Sequence, residues 1–199
     1  MKSAKSLIVL TGKTTSGKDT VASKLQQKFP NLKKILTTTS RPPRNSETNG
    51  IDYDFLSEDK FKQKITEGDF IEHVEYGGNL YGTQKCQIAN NLGHDLIWRI
   101  DPSRAGKVRE FIKDSFDQSR ADDLLKRIVV IYLTVSDEVV LERLKKRGIS
   151  QAEINHRMQE DKLFWEQYQD NYDFVIENIP GKLKETVDKI VKILENHIL

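Results

Sequence analysis

The stretch that most limits what this chain can fold into is Leu7-Ile8-Val9-Leu10 followed by Thr11-Gly12-Lys13-Thr14-Thr15-Ser16-Gly17-Lys18-Asp19-Thr20-Val21. Four apolar residues predict a buried strand, and apolar positions Val21, Ala22, Leu25 and Phe29 recur at helical spacing beyond it. Between them Gly12 and Gly17 either punctuate a plain turn or let backbone N–H groups close on an anion. A strand, a glycine-bearing loop and a helix N-terminus in that order favour the anion. The spacing G-x-x-x-x-G-K predicts phosphate contacts from Gly12, Lys13, Thr14, Thr15, Ser16, Gly17, Lys18 and Thr20. The residue after Lys18, where a hydroxyl normally meets magnesium, is Asp19, so the motif is incomplete.

Composition narrows the partners. Lys and Arg number 32 against 30 for Asp and Glu, a net charge of +2, which gives no general case for nucleic acid or a membrane surface. The single cysteine, Cys86, excludes an intramolecular disulfide and reads as a small packing residue. With no N-terminal apolar run of signal-peptide length, the chain is expected in the cytoplasm, with no membrane and no protein partner implied.

Taken in order, residues 34–36 predict a short strand, and residues 37–50 form a long polar stretch in which Arg41 and Arg44 flank Pro42-Pro43. Such a stretch is either a solvated loop or a pair of guanidinium forks held at fixed separation for a phosphate. Alternation predicts strands over 51–56 and 70–76, the second turning at Gly77-Gly78-Asn79 into Leu80-Tyr81-Gly82-Thr83, so residues 37–83 read as a strand-rich insert. Residues 84–92 predict a helix, 95–100 a strand ending at Asp101, and Pro102 starts a further helix whose charged part, 113–126, reads as a surface excursion. Residues 128–133 are continuously apolar and β-branched, the mark of a parallel strand buried on both faces. Ser136 caps a helix to Arg147, Ser150 and Glu153 form a capping box for a helix to about Tyr168, residues 174–176 are a last strand, and 180–197 a terminal amphipathic helix. The fold class is α/β, a parallel sheet with helices on both faces, plus the strand-rich insert and a helical lid.

With both halves in view the chain resembles guanylate kinase. The resemblance is carried by residues 12–20, by Thr38-Thr39-Ser40-Arg41-Pro42-Pro43-Arg44 with Glu47, Gly50 and Asp52-Tyr53, by Phe70-Ile71-Glu72, and by Gly78-Asn79-Leu80-Tyr81-Gly82-Thr83. It implies a P-loop-type core domain over 1–36, 84–137 and 160–199, a GMP-binding domain over 37–83 and a lid over 138–159. It implies transfer of the ATP γ-phosphoryl group to GMP, and to dGMP as well, with Mg²⁺. On it, Arg41, Arg44 and Tyr53 hold the GMP phosphate with Tyr81, Glu47 steadies the arginines, and Glu72, Thr37, Thr83 and Asp101 read guanine. Lys18, Arg41, Arg44, Arg147 and Arg157 are the expected catalytic cations, although basic helix residues alone more often form a solvated face. Asn178 matches an adenine-contacting position. A carboxylate suits guanine because it accepts from the N1 and N2 hydrogens.

Three departures stand out. Asp19 replaces the hydroxyl residue, and Arg99 stands where the family has an aspartate, two residues before Asp101; Ser103-Arg104 replaces Gln-Gly. The exchange of charge predicts that Asp19 and Arg99 pair across the site, or that Asp19 holds Mg²⁺ through water, unless Arg99 points to solvent. The alternatives are a catalytically silent module that binds a phosphoprotein and a kinase for another nucleoside monophosphate.

Overall fold

The protein is described by a computed structural model covering residues 5–76 and 78–198; Gly77 of the expected turn and the chain ends lie outside it. Strand β1 (Leu7–Gly12) leads through the glycine-bearing loop into α1 (Lys18–Lys28) and β2 (Lys33–Lys34). Then come β3 (Thr38–Thr39), β4 (Asp54–Phe55), α2 (Glu58–Thr66), β5 (Phe70–Tyr76), β6 (Asn79–Gln84) and α3 (Lys85–Ala89). The rest is β7 (Leu96–Arg99), α4 (Pro102–Gly106), α5 (Val108–Ser115), α6 (Gln118–Arg127), β8 (Ile128–Thr134), α7 (Asp137–Lys146), α8 (Gln151–Tyr168), β9 (Phe174–Glu177) and α9 (Leu183–Ile198).

Five strands form a parallel sheet in the order β2-β7-β1-β8-β9. Alternation along its middle strands divides the core. Leu7, Val9, Trp98, Val130 and Tyr132 face one side, where Ala105, Val108, Ile112, Leu124 and Tyr168 cover them. Ile8, Leu10, Ile97, Val129, Ile131 and Leu133 face the other, under Val21 and Leu25 of α1 and Val187, Ile190, Val191 and Leu194 of α9. Because β1 is covered on both faces its six residues are all buried, which is why its first four are all apolar. A third cluster, Val135, Val140, Leu144 and Ile154, joins α7 to the start of α8.

The second sheet, β4-β3-β6-β5, stands at one end of the first. Gln84 fastens it, donating its amide hydrogens to the Thr38 hydroxyl at 2.9 Å and the Asp54 carboxylate at 2.7 Å. That work keeps Gln84 in β6, so the helix expected from 84 begins at Lys85 and ends at Ala89.

Other expectations need correction. The strand over 51–56 shrinks to Asp54–Phe55 because Thr48 and Asp52 form a turn, the Thr48 N–H donating to the Asp52 side chain at 2.8 Å. The strand over 34–36 ends its ladder at Lys34, and Thr38–Thr39 pairs with β6 without having been expected to. The helix from Pro102 is three helices, and the charged excursion is α6 with the end of α5, whose Ile112, Ala121 and Leu124 are buried.

Candidate active site

The loop between β1 and α1 can close only with glycine at its ends. A Cβ on Gly12 would lie 2.1 Å from the Leu133 carbonyl oxygen, and Gly17 has φ of 88°, with a Cβ there 2.8 Å from the Asn178 amide nitrogen. Thr15 shares the left-handed region at φ 58°. Neighbouring elements tie the loop down. The Lys13 N–H donates to Leu133 O at 2.9 Å, its ammonium reaches Val135 O at 3.2 Å and pairs with Asp137, and Arg143 of α7 donates to Thr15 O at 2.6 Å.

Lys18 turns back over the loop and donates to Gly12 O at 2.8 Å and Lys13 O at 3.1 Å. Burial, the largest influence, lowers its pKa to about 8, with the nearby Asp161 opposing and Arg99 assisting the fall. Its ammonium is thus held out of water and satisfied by two carbonyls. Asp161, on α8, was not singled out in the sequence; its carboxylate accepts from the Thr14 N–H at 2.9 and 3.1 Å. Nothing in the local pattern of α8 points to it, since only the fold brings residue 161 to residue 14.

A cleft of about 390 Å³ runs from this loop to the second sheet, within the range of small-molecule sites. Its lining includes Gly12, Thr14, Lys18 and Asp19 at one end and Thr37, Glu72, Tyr81 and Asp101 at the other. Glu72 is 5% exposed. Its carboxylate accepts from the Thr83 hydroxyl at 2.7 Å, and that hydroxyl accepts in turn from the Trp98 indole N–H at 2.9 Å. Burial pushes the Glu72 carboxyl up to about 7, the Thr83 hydrogen bond resisting. Asp101 caps α4 with one oxygen, which accepts from Ser103 N at 2.9 Å, Ser103 Oγ at 2.6 Å and Arg104 N at 3.2 Å.

Beside this cleft lies a polar cavity of about 400 Å³ that Arg41, Arg44, Glu47, Tyr53, Tyr81 and Arg99 help to line. Arg41 meets Glu47 through two parallel bonds of 2.6 Å, and Glu47 also accepts from the Arg44 backbone N–H at 2.8 Å. These bonds, first that to the Arg41 side chain, hold the Glu47 carboxyl down at about 2. The Arg41 guanidinium also lies over the Tyr53 ring, 5.2 Å from its centre. Arg41 is thus held by a fork and a ring, whereas Arg44 is exposed.

The departing pair meets: Arg99 forms an ion pair with Asp19, and the guanidinium is the more enclosed partner, its side chain 21% exposed against 84%. Arg99 lines both cavities and does not point away to solvent. Arg147 lies on a third cleft, of about 310 Å³, with Thr15, Gly17, Thr20, Arg143 and Asn178. Asn178 donates to Ser16 O at 2.8 Å and accepts from the Thr186 hydroxyl at 2.9 Å, so its amide ties the loop to α9. Ser16 is fully buried. Arg157 stands apart from these cavities, its side chain donating to Glu153 one turn back at 2.8 Å.

The structure therefore gathers the loop residues, Lys18, Asp19 and the residues of 37–83 around connected cavities. Asp161, Trp98 and Arg143 join them unforeseen. Among the described residues no group of three His, Cys, Asp or Glu side chains is placed to hold a metal, and no helix is long and apolar enough to cross a membrane.

Comparison with known proteins gives the same result from outside. The family profile described as guanylate kinase matches residues 4–198. A guanylate kinase of Hydrogenovibrio crunogenus is 31% identical over 177 residues, 88% of this chain and 80% of that protein. One of Latilactobacillus sakei is 33% identical over 97% of this chain and 90% of its own. The crystal structure of guanylate kinase from Anaplasma phagocytophilum superposes with a TM-score of 0.73 at 26% identity, covering 100% of this chain and 89% of that one. By sequence along nearly its whole length and by fold, this chain belongs to the guanylate kinase family.

Proposed function

We propose that the protein transfers the γ-phosphoryl group of ATP to GMP, and to dGMP, giving ADP and the nucleoside diphosphate. The observation that carries this reading is the buried Glu72 carboxylate facing the same cleft as Lys18 and the glycine-bearing loop. A carboxylate there accepts from guanine N1–H and N2–H, and adenine, lacking that pair of donors, would leave it buried with only the Thr83 hydroxyl as partner.

In this reading the acceptor's phosphate lies against Arg41, Arg44, Tyr53 and Tyr81, with Glu47 fixing the arginines. Thr37, Thr83 and Asp101 complete the base site, Thr83 by orienting Glu72. The donor's phosphates lie in the loop of residues 12–20, where backbone N–H groups and Lys18 spread their charge, and Asn178 holds the loop from behind. An oxygen of the GMP phosphate attacks the γ-phosphorus and the bond to the ADP oxygen breaks. Placement and charge neutralisation supply most of the catalysis. Arg147 and Arg157 belong to a lid, residues 138–159, that closes with the GMP-binding domain, 37–83, over a core domain of 1–36, 84–137 and 160–199. Closure excludes water, so that GMP receives the phosphoryl group.

The donor set fits a Mg²⁺ that arrives with the nucleotide, because such an ion needs only one or two carboxylates besides phosphates and water. Asp19, beside Lys18 and 84% exposed, would hold it through water in exchange for its ion pair with Arg99, and the ion would add positive charge to the site. The compartment is the cytosol, and ATP and GMP are the partners.

The test is ADP formation from ATP and Mg²⁺ with GMP, dGMP, AMP, CMP or UMP as acceptor. Turnover selective for the guanine nucleotides, falling at least about a hundredfold in Lys18→Ala, is the expected result. Turnover with another base overturns the role of Glu72, and GMP binding without turnover replaces the kinase with a silent binding module. In the same assay Asp19→Ser shifts the Mg²⁺ dependence; an unchanged titration removes Asp19 from the metal.

A further inference from the structure

An anion already sits on the glycine-bearing loop, and it belongs to the protein. Asp161 lies in the middle of α8 and is 6% exposed, a place where a carboxylate is rare unless it is paired. Its partner is neither an arginine nor a lysine side chain. Both oxygens accept from the Thr14 N–H, at 2.9 and 3.1 Å, and one also accepts from the Thr14 hydroxyl at 3.2 Å. Thr14 stands inside the loop, and its N–H is one of the donors that the G-x-x-x-x-G-K pattern offers to phosphate.

The surroundings agree with this occupancy. Asp161 shares the cleft lining with Gly12, Thr14 and Lys18. Lys18 feels its charge, but donates to the carbonyls of Gly12 and Lys13. One helical turn before Asp161, Arg157 is likewise engaged by a carboxylate of its own helix, Glu153. Thr14 and Lys18 of the loop are thus engaged by partners of the protein's own.

We propose that Asp161 belongs to the ATP site as a protein-borne stand-in for phosphate, holding Thr14 in the empty loop and yielding it to the nucleotide, so that it sets ADP and ATP affinity by competition. The inference rests on the reading of the loop as the ATP site. It makes Asp161 a positioning residue with a definite sign: its negative charge weakens binding of phosphates at the place where it stabilises the empty enzyme. Asparagine keeps the shape and an acceptor oxygen but removes the charge, so the competitor becomes weaker.

Calorimetric titration of the full-length protein with ADP, pyrophosphate and adenosine, each without divalent metal, tests it. Asp161→Asn is expected to bind ADP and pyrophosphate about tenfold more tightly, from the loss of one like charge near the phosphates, and adenosine unchanged. Equal or weaker ADP binding overturns the proposal, as does a gain for adenosine equal to that for ADP, which would mark general loosening of the site. If Asp161→Asn does not fold, a crystal structure of the unaltered protein with ADP decides. The Thr14 N–H on a phosphate oxygen with Asp161 displaced supports the exchange, and Asp161 still on Thr14 beside bound ADP refutes it. In parallel, Lys18→Ala should lose ADP affinity; retained affinity would remove the ATP-site reading and this proposal together, whereas lost affinity with no gain in Asp161→Asn removes this proposal alone.

Discussion

At the scale of single residues, Glu72 is where folding and binding ask for opposite things. Burial raises its carboxyl from 4.5 to about 7, so the unfolded chain gives up the proton first and stability falls as pH rises from 4.5 through 7. The total is on the order of 3 kcal/mol, and Glu72→Gln should remove that slope in thermal unfolding measured across the window. Guanine, however, needs the ionised form, so the KM for GMP should fall about tenfold between pH 6 and 8 in the unaltered protein. Glu72→Gln should bind GMP more weakly at pH 8 and lack that component. Comparing the two removes the titration of the nucleotide phosphate, whose second pKa is about 6. A parallel slope in both proteins would mean that Glu72 does not meet the base. The sequence brought Glu72, Arg41 and Glu47 into view because the surrounding motifs are local. It was silent on Asp161 and Trp98, whose partners Thr14 and Thr83 are reached only through the fold.

At the scale of elements, α6 is the clearest case of charge hiding a structural role. Ten residues, QSRADDLLKR, look like solvated surface, yet Ala121 and Leu124 face the core beneath an exposed polar side. Asp117 caps the helix by accepting from the Arg120 N–H at 3.0 Å. Leu124, fully buried, should cost about 2 to 5 kcal/mol when replaced by alanine, and Asp122→Ala, on the exposed side, within about 0.5 kcal/mol. Denaturant unfolding of the two variants checks this, and equal losses would return the segment to a loose excursion. Long elements were legible because their period repeats: β5, β8, α8 and α9 fall within a few residues of expectation. The two-residue strands β2, β3 and β4 are too short to carry a period, and β3 and β4 are held together by a side chain from elsewhere, that of Gln84.

At the scale of the whole molecule, the glycine-bearing loop issues from the middle of the larger sheet, and Glu72, Tyr81 and Thr83 stand on the smaller one. The first sheet is closed on both faces by helices, whereas in the second the two-residue strands β3 and β4 are held by short ladders and polar side chains. Opening should therefore be graded: amides of β1 and β8 should exchange with solvent near the rate set by global unfolding, and those of β3 and β4 much sooner. Residue-resolved hydrogen exchange tests this, and equal protection in both sheets would mean that the molecule opens as one unit. The division was readable in outline from the change of pattern near residue 37. The cleft between the sheets was not, because it is made by two surfaces each chosen to bury its own core.

The indole N–H of Trp98 donates to Thr83, which donates to Glu72, so a light-absorbing ring sits two hydrogen bonds behind the carboxylate. The chain has one other tryptophan, Trp165, packed against Tyr132 and Tyr172 on the core side of α8. The molecule therefore carries its own optical gauge: with Trp165 replaced by phenylalanine, the remaining emission should follow the charge of Glu72 without a dye or a coupled enzyme, and emission flat from pH 5 to 9 would show the two to be uncoupled.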